Sequence, residues 1–75
     1  MLIKQEGRNG KIVEIRTSEF NGKTCYCIDL REIAGNWPYP WEVRKDGTRS
    51  CMYEFKRTLE EANKTFSEYM KKAGE

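Results

Sequence analysis

Seventy-five residues make one domain near the lower size limit, which buries only about 60% of the surface its unfolded chain exposes and has no spare core for a deep substrate pocket. With 37% hydrophobic and 35% charged residues the chain is polar, yet its nine aromatics (three Phe, four Tyr, two Trp) argue against disorder. The net charge of +2 excludes a strongly acidic DNA mimic and neither demands nor forbids a nucleic-acid partner.

Three dipeptides punctuate the chain: Asn9-Gly10, Asn21-Gly22 and Asp46-Gly47. Each is a hairpin signal, because a type I′ turn needs positive φ at both central residues. Between them the sequence predicts strands over Leu2–Glu6, Lys11–Thr17 and Thr24–Leu30. Trp41–Lys45 and Arg49–Lys56 read as a further hairpin. Period-two alternation puts Val13 and Ile15 on one face, opposite Ile12, Glu14 and Arg16. Likewise Tyr26, Ile28 and Leu30 oppose Cys25, Cys27 and Asp29, and Cys51, Tyr53 and Phe55 oppose Met52, Glu54 and Lys56. One face is apolar and the other mixed, as in a sheet covered on one side only.

The cover follows at once. Thr58 and Glu61 form a capping box, in which the hydroxyl takes the Glu61 backbone N–H and the carboxylate reaches back to the cap. Leu59, Ala62, Phe66, Tyr69, Met70 and Ala73 recur at helical spacing. Glu60 and Glu61 in the first turn and Lys71 and Lys72 in the last suit the helix dipole, and Gly74 closes the helix. A helix over Leu59–Ala73 runs about 22 Å, matching a seven-residue strand of about 23 Å. The expected fold is α+β: one domain over residues 1–75, an antiparallel sheet of three to five strands packed on one C-terminal amphipathic helix.

Catalytic chemistry is poorly provided for. There is no histidine, which removes the commonest general base and transition-metal ligand. No P-loop or dinucleotide fingerprint occurs. Cys25, Cys27 and Cys51 with Asp29 are a weak match to a structural zinc site, which takes four N/S ligands from knuckles spaced by two to four residues. They read better as small, half-buried apolar residues. Glu14, Asp29, Glu42 and Glu54 read as solvated surface. The chain is expected not to be an enzyme and to need no metal or cofactor. An odd cysteine count without a secretory pattern, and no apolar run long enough for a membrane helix, lead to the expectation of a soluble cytoplasmic protein complete from its own initiator methionine.

Two features bear on binding. Trp37-Pro38-Tyr39-Pro40-Trp41 holds both prolines and three of the nine aromatics, and should be a stiff, extended connector. Trp41 is assigned to the core, while Trp37 and Tyr39 stand between core plug and partner anchor. Buried rings would favour a basic binding face, and exposed rings a protein partner. The second feature is the Arg44–Arg57 segment. It carries Arg44, Lys45, Arg49, Lys56 and Arg57 against Asp46 and Glu54, with Arg16 and Lys23 adding to it from neighbouring strands. A basic sheet face beside aromatics suits a strand-based nucleic-acid reader.

The run Trp41-Glu-Val-Arg-Lys-Asp-Gly-Thr-Arg, then Phe55-x-x-Thr58-x-x-Glu61-Ala62, then Phe66 resembles the end of the AP2-like and arm-binding domains of phage-type integrases. The resemblance spans roughly the last 35 residues. It implies a three-stranded sheet on one C-terminal helix, with the sheet entering the DNA major groove. Arg44 and Arg49 would then sit on the DNA-facing hairpin and Lys45 and Lys56 near the backbone. It also implies a phage or mobile-element source. The Trp-Pro-Tyr-Pro-Trp segment is additional to that pattern. The expected function is a small binding module for nucleic acid through Arg16, Arg44, Lys45, Arg49 and Lys56. The alternative is a protein-interaction module or small phage-type inhibitor using Trp37, Tyr39 and Trp41 or a sheet edge, with a homodimer through such an edge as a variant.

Overall fold

The computed structural model describes all residues, Met1–Glu75. Four strands, β1 (Leu2–Arg8), β2 (Lys11–Phe20), β3 (Lys23–Ile33) and β4 (Thr48–Lys56), precede one helix, α1 (Leu59–Ala73). The sheet is an antiparallel meander in the order β1-β2-β3-β4, so the fold is α+β as the sequence predicts. Asn9-Gly10 and Asn21-Gly22 both take positive φ at both residues, as type I′ turns require. The first turn fixes the register Arg8↔Lys11, and the second fixes Val13↔Leu30 and Ile15↔Ile28. The 15 Å short axis of the molecule is that of one sheet and one helix.

Eight residues form the core: Val13, Ile15, Ile28 and Leu30 from the sheet, and Ala62, Phe66, Tyr69 and Ala73 from α1. The helix starts where the cap demands. Thr58 is extended, and its hydroxyl accepts from the Glu61 N–H at 3.2 Å. The Glu61 carboxylate accepts from the Thr58 hydroxyl at 3.1 Å rather than from the backbone of the cap. Gly74 ends the helix in right-handed geometry, and the space a Cβ would fill there is held by the Arg8 guanidinium at 2.6 Å. Asn9 donates to the Ala73 carbonyl at 3.2 Å, tying the first hairpin to the end of the helix.

Three expectations are corrected. Trp41–Lys45 is not a strand. Pro40–Glu42 is a single 3-10 turn, and β4 pairs with β3 instead. Pro40 opens that turn, the N–H groups of Glu42 and Val43 are spent on the Tyr39 and Pro40 carbonyls, and the Asp46-Gly47 turn closes only the Arg44–Thr48 pair. Trp41 is 78% exposed rather than in the core. The faces of the last strand are also exchanged. The register Leu30↔Met52 and Ile28↔Glu54 puts Met52 on the helix side, where it packs on the core. The register Cys27↔Phe55 and Asp29↔Tyr53 turns Phe55 and Tyr53 to the opposite face, 57% and 62% exposed.

The Tyr69 hydroxyl is buried without a hydrogen-bond partner. Burial, reinforced by Glu54, pushes the phenol up to about 12. Its folded value thus exceeds the unfolded one of about 10, so this contribution to stability is complete below pH 10 and is lost as pH rises through 12. Tyr69→Phe removes an unsatisfied group. Urea midpoints should show stability unchanged or raised at pH 7 and a smaller loss between pH 9 and pH 11. A destabilisation above about 1 kcal/mol at pH 7 would mean the hydroxyl has a partner.

Candidate functional site

The sheet face opposite α1 divides into two halves of different chemistry. Toward the β3–β4 connection lies an ionic network. Glu14 and Asp29 are cross-strand neighbours, and each is at most 5% exposed, contrary to the solvated surface predicted for them. Arg31, also 5% exposed, holds them together. Its guanidinium lies 3.1 Å from Glu14 Oε2 and 3.6 Å from Asp29 Oδ2, and meets Asp46 at 2.6 Å. Arg16 closes on Glu14 at 3.2 Å and Arg44 on Asp29 at 2.9 Å. Ser50 donates to the other Asp29 oxygen at 2.7 Å. Three guanidinium groups meet three carboxylates, so this half is close to neutral. Hydrogen bonds from the Thr48 hydroxyl and N–H, with Arg31 beyond them, hold the Asp46 carboxyl below its ordinary range. Arg31 is the residue that sequence reasoning missed. The only signal available was alternation, which puts Arg31 on the same face of β3 as Asp29.

The other half is bare and apolar. Cys25 and Cys27 on β3, Phe20 on β2, and Tyr53 and Phe55 on β4 share this face. The β2–β3 hairpin projects past the end of its pairing with β1, which stops at Leu2↔Arg16, and Phe20 near its tip is 73% exposed. Tyr53 and Phe55 meet edge to face, with ring centroids 5.8 Å apart. Between the hairpin tip and the end of β4 is an open cleft of about 650 Å³ lined by Phe20, Cys25 and Phe55 together with Lys23, Lys56 and Arg57, with no carboxylate in its wall. Neither Lys23 nor Arg57 makes an ion pair within the chain.

The basic residues singled out in the sequence do not converge. Arg16 and Arg44 belong to the ionic network. Arg49 pairs with Glu32, whose register position lies on the helix-side face beyond Leu30. Lys56 pairs with Glu54 at 3.4 Å, also on that side, while lining the cleft. Lys45 is exposed on the turn and unpaired. The aromatic connector is a ladder of its own. The Trp37 ring lies 3.7 Å from the Arg49 guanidinium carbon, and its Nε1 donates to Glu42 at 2.8 Å. Tyr39 packs against Trp37 and Trp41, with centroids 5.8 and 5.4 Å away. Trp37 is half-buried, while Tyr39 and Trp41 are exposed.

All three cysteines are free thiols, Cys25 and Cys27 half-buried and Cys51 exposed. No three Cys, Asp or Glu side chains gather in a way that could hold a metal ion. Burial, with Asp29 adding to it, pushes the Cys27 thiol up, and burial with Glu32 does the same for Cys51. Both shifts lower the thiolate fraction, the opposite of what a nucleophile needs. Cys27 should therefore react with iodoacetamide at pH 8 more slowly than a cysteine in a short unstructured peptide, as followed by mass spectrometry. An equal or faster rate would point to an activated thiol.

No helix is long and apolar enough to cross a membrane. Comparison of the chain with protein-family models, curated proteins and solved structures gave no match. The likeness to AP2-like and arm-binding domains therefore rests on the residues quoted for it.

Proposed function

We propose that the chain is a small non-catalytic binding module that takes nucleic acid on the bare half of the sheet face opposite α1. One observation carries this reading: Phe20, Tyr53 and Phe55 stand exposed beside Lys23 and Arg57, whose charges nothing in the chain neutralises. Exposed rings next to free cations are what a nucleic-acid surface needs, because phosphates supply attraction and bases supply contact area. The Arg44–Arg49 turn contributes less than its sequence suggests, since Glu32 and Asp29 answer both guanidinium groups. Free cysteines fit a reducing, cytoplasmic setting, and the integrase-like junction suits a phage or mobile-element origin. The test is fluorescence anisotropy with labelled DNA and RNA, single- and double-stranded, at 50 mM salt. Binding that weakens as salt rises to 200 mM is expected. No binding to any of the four overturns the reading.

A second reading is favoured by the exposure of Trp41 at 78% and Tyr39 at 46%. Both rings project from a connector braced by Arg49 and Glu42, and exposed aromatics anchor protein interfaces. The fully exposed edge strand β1 offers a further surface for a peptide or a second copy. In that case Trp41→Ala, or a change along β1, removes the partner or the dimer, and Phe55→Ala does not.

A further inference from the structure

We infer that the nucleic acid taken by the Phe20–Phe55 cleft is single-stranded, with unpaired bases laid on the aromatic rings and phosphates held by Lys23 and Arg57. This rests on the nucleic-acid reading above and deepens it. The cleft combines two chemistries: apolar surface from Phe20, Cys25 and Phe55, positive charge from Lys23 and Arg57, and no carboxylate in the wall. A duplex offers only phosphates and groove edges, because its base faces are covered by their neighbours. It would leave Phe20 and Phe55, 73% and 57% exposed, without a partner. A single strand can turn a base face to each ring while its backbone meets Lys23 and Arg57, and every base has such a face, so the site would be tolerant of sequence. The volume of about 650 Å³ is within the range that holds a small ligand. An apolar peptide would cover the rings but leave Lys23 and Arg57 unanswered, so charge complementarity favours an anionic chain with flat apolar groups.

The ionic network makes the site one-sided. Arg16, Arg31 and Arg44 are tied to Glu14, Asp29 and Asp46, which leaves Lys45 on the turn as the one free cation beside the network and puts Lys23 and Arg57 next to the exposed rings. Two phosphate contacts give a salt slope of about −1.4 for a single strand, or roughly a 7-fold loss of affinity between 50 and 200 mM. Loss of one stacked base should weaken binding by roughly 5- to 100-fold.

The experiment measures anisotropy of labelled (dT)12 and (rU)12, a G·C-rich DNA duplex long enough to stay paired at 50 mM salt, and a 12-residue oligoglutamate peptide. The proteins are the full chain and its Phe20→Ala, Phe55→Ala, Lys23→Gln and Trp41→Ala variants. All four positions are exposed, and a thermal melt checks each fold. The expected result is single strands bound at least 10-fold more tightly than the duplex, weakened by Phe20→Ala and Phe55→Ala, with Trp41→Ala unchanged. Lys23→Gln should flatten the salt slope by about 0.7. Equal binding of duplex and single strand, with Phe55→Ala unaffected, overturns the stacking inference and leaves the nucleic-acid reading standing. Oligoglutamate bound as tightly as (dT)12 overturns it in favour of an acidic protein partner. No binding to any probe overturns this inference together with the reading it rests on.

Discussion

Arg31→Met should destabilise the protein by about 3–5 kcal/mol, because it removes the buried cation of a buried ion-pair network and leaves Glu14 and Asp29 only the half-exposed Arg16 and Arg44 as partners. Arg31 is 5% exposed and lies between Glu14 and Asp29, which are 1% and 5% exposed and directly opposite each other on β2 and β3. Without the guanidinium, two carboxylates face each other in a site that water barely reaches. A domain of this size has roughly 4–11 kcal/mol of total stability, so the variant should lose a large share of it, read from urea titrations followed by far-UV circular dichroism. Arg16→Ala removes a half-exposed arm of the same network and should cost about 1 kcal/mol or less. If Arg31→Met costs no more than Arg16→Ala, the network is not the sealed element described here. The native network need not be more stable than an apolar replacement of all its members. Its role in the fold is to anchor the turn carrying Arg44 and Asp46 onto the sheet, which closes one half of that face and leaves the other open.

Phe66→Ala should cost about 3–5 kcal/mol, while Phe55→Ala should stay within about 0.5 kcal/mol. Phe66 is 2% exposed and belongs to the eight-residue core, with the Lys4 ammonium 4.3 Å above its ring. Tyr53 and Phe55 cannot fill the hole, because they are on the far side of the sheet. Phe55, 57% exposed, supports nothing in the core. Chemical denaturation of the two variants reads out which face of β4 the helix covers. The reverse ranking would mean that Tyr53 and Phe55 pack under α1, and the binding surface would vanish with it.

That face assignment marks the limit of what the sequence carried. Asn9-Gly10 and Asn21-Gly22 specify their turns locally, through φ, and the Thr58 cap with the spacing of Ala62, Phe66, Tyr69 and Ala73 specifies the helix. All of these stand in the structure. Alternation in β4 states only that Tyr53 and Phe55 share a face. Which face the helix takes is decided by the register against β3, where Leu30 meets Met52 across an irregularity in the pairing at Leu30/Arg31. Counting apolar residues chose the wrong side, since Cys51, Tyr53 and Phe55 outweigh Met52. The Asp46-Gly47 turn was read as the centre of a hairpin, but a 3-10 turn opened by Pro40 takes up the N–H groups of Glu42 and Val43, so its first arm forms no ladder. Burial of Glu14 and Asp29 depends on Arg31 and on Arg44 and Asp46 from a distant turn, and no local pattern encodes such a meeting. The cleft was half-legible. Lys23 stood beside the basic set, while Phe55 went unnoticed as a binding residue because aromatics in strands read as core, and Phe20 because it lies beyond the predicted strand Lys11–Thr17 in the longer observed β2.

The most direct test of the account is an amide chemical-shift map of the isotope-labelled protein titrated with (dT)12. The expected perturbations cluster at Ser18–Cys25 and Tyr53–Arg57, around the cleft, and spare Leu59–Ala73 and Pro38–Lys45. Perturbations centred on Arg44, Lys45 and Arg49, or on the helix, would contradict it.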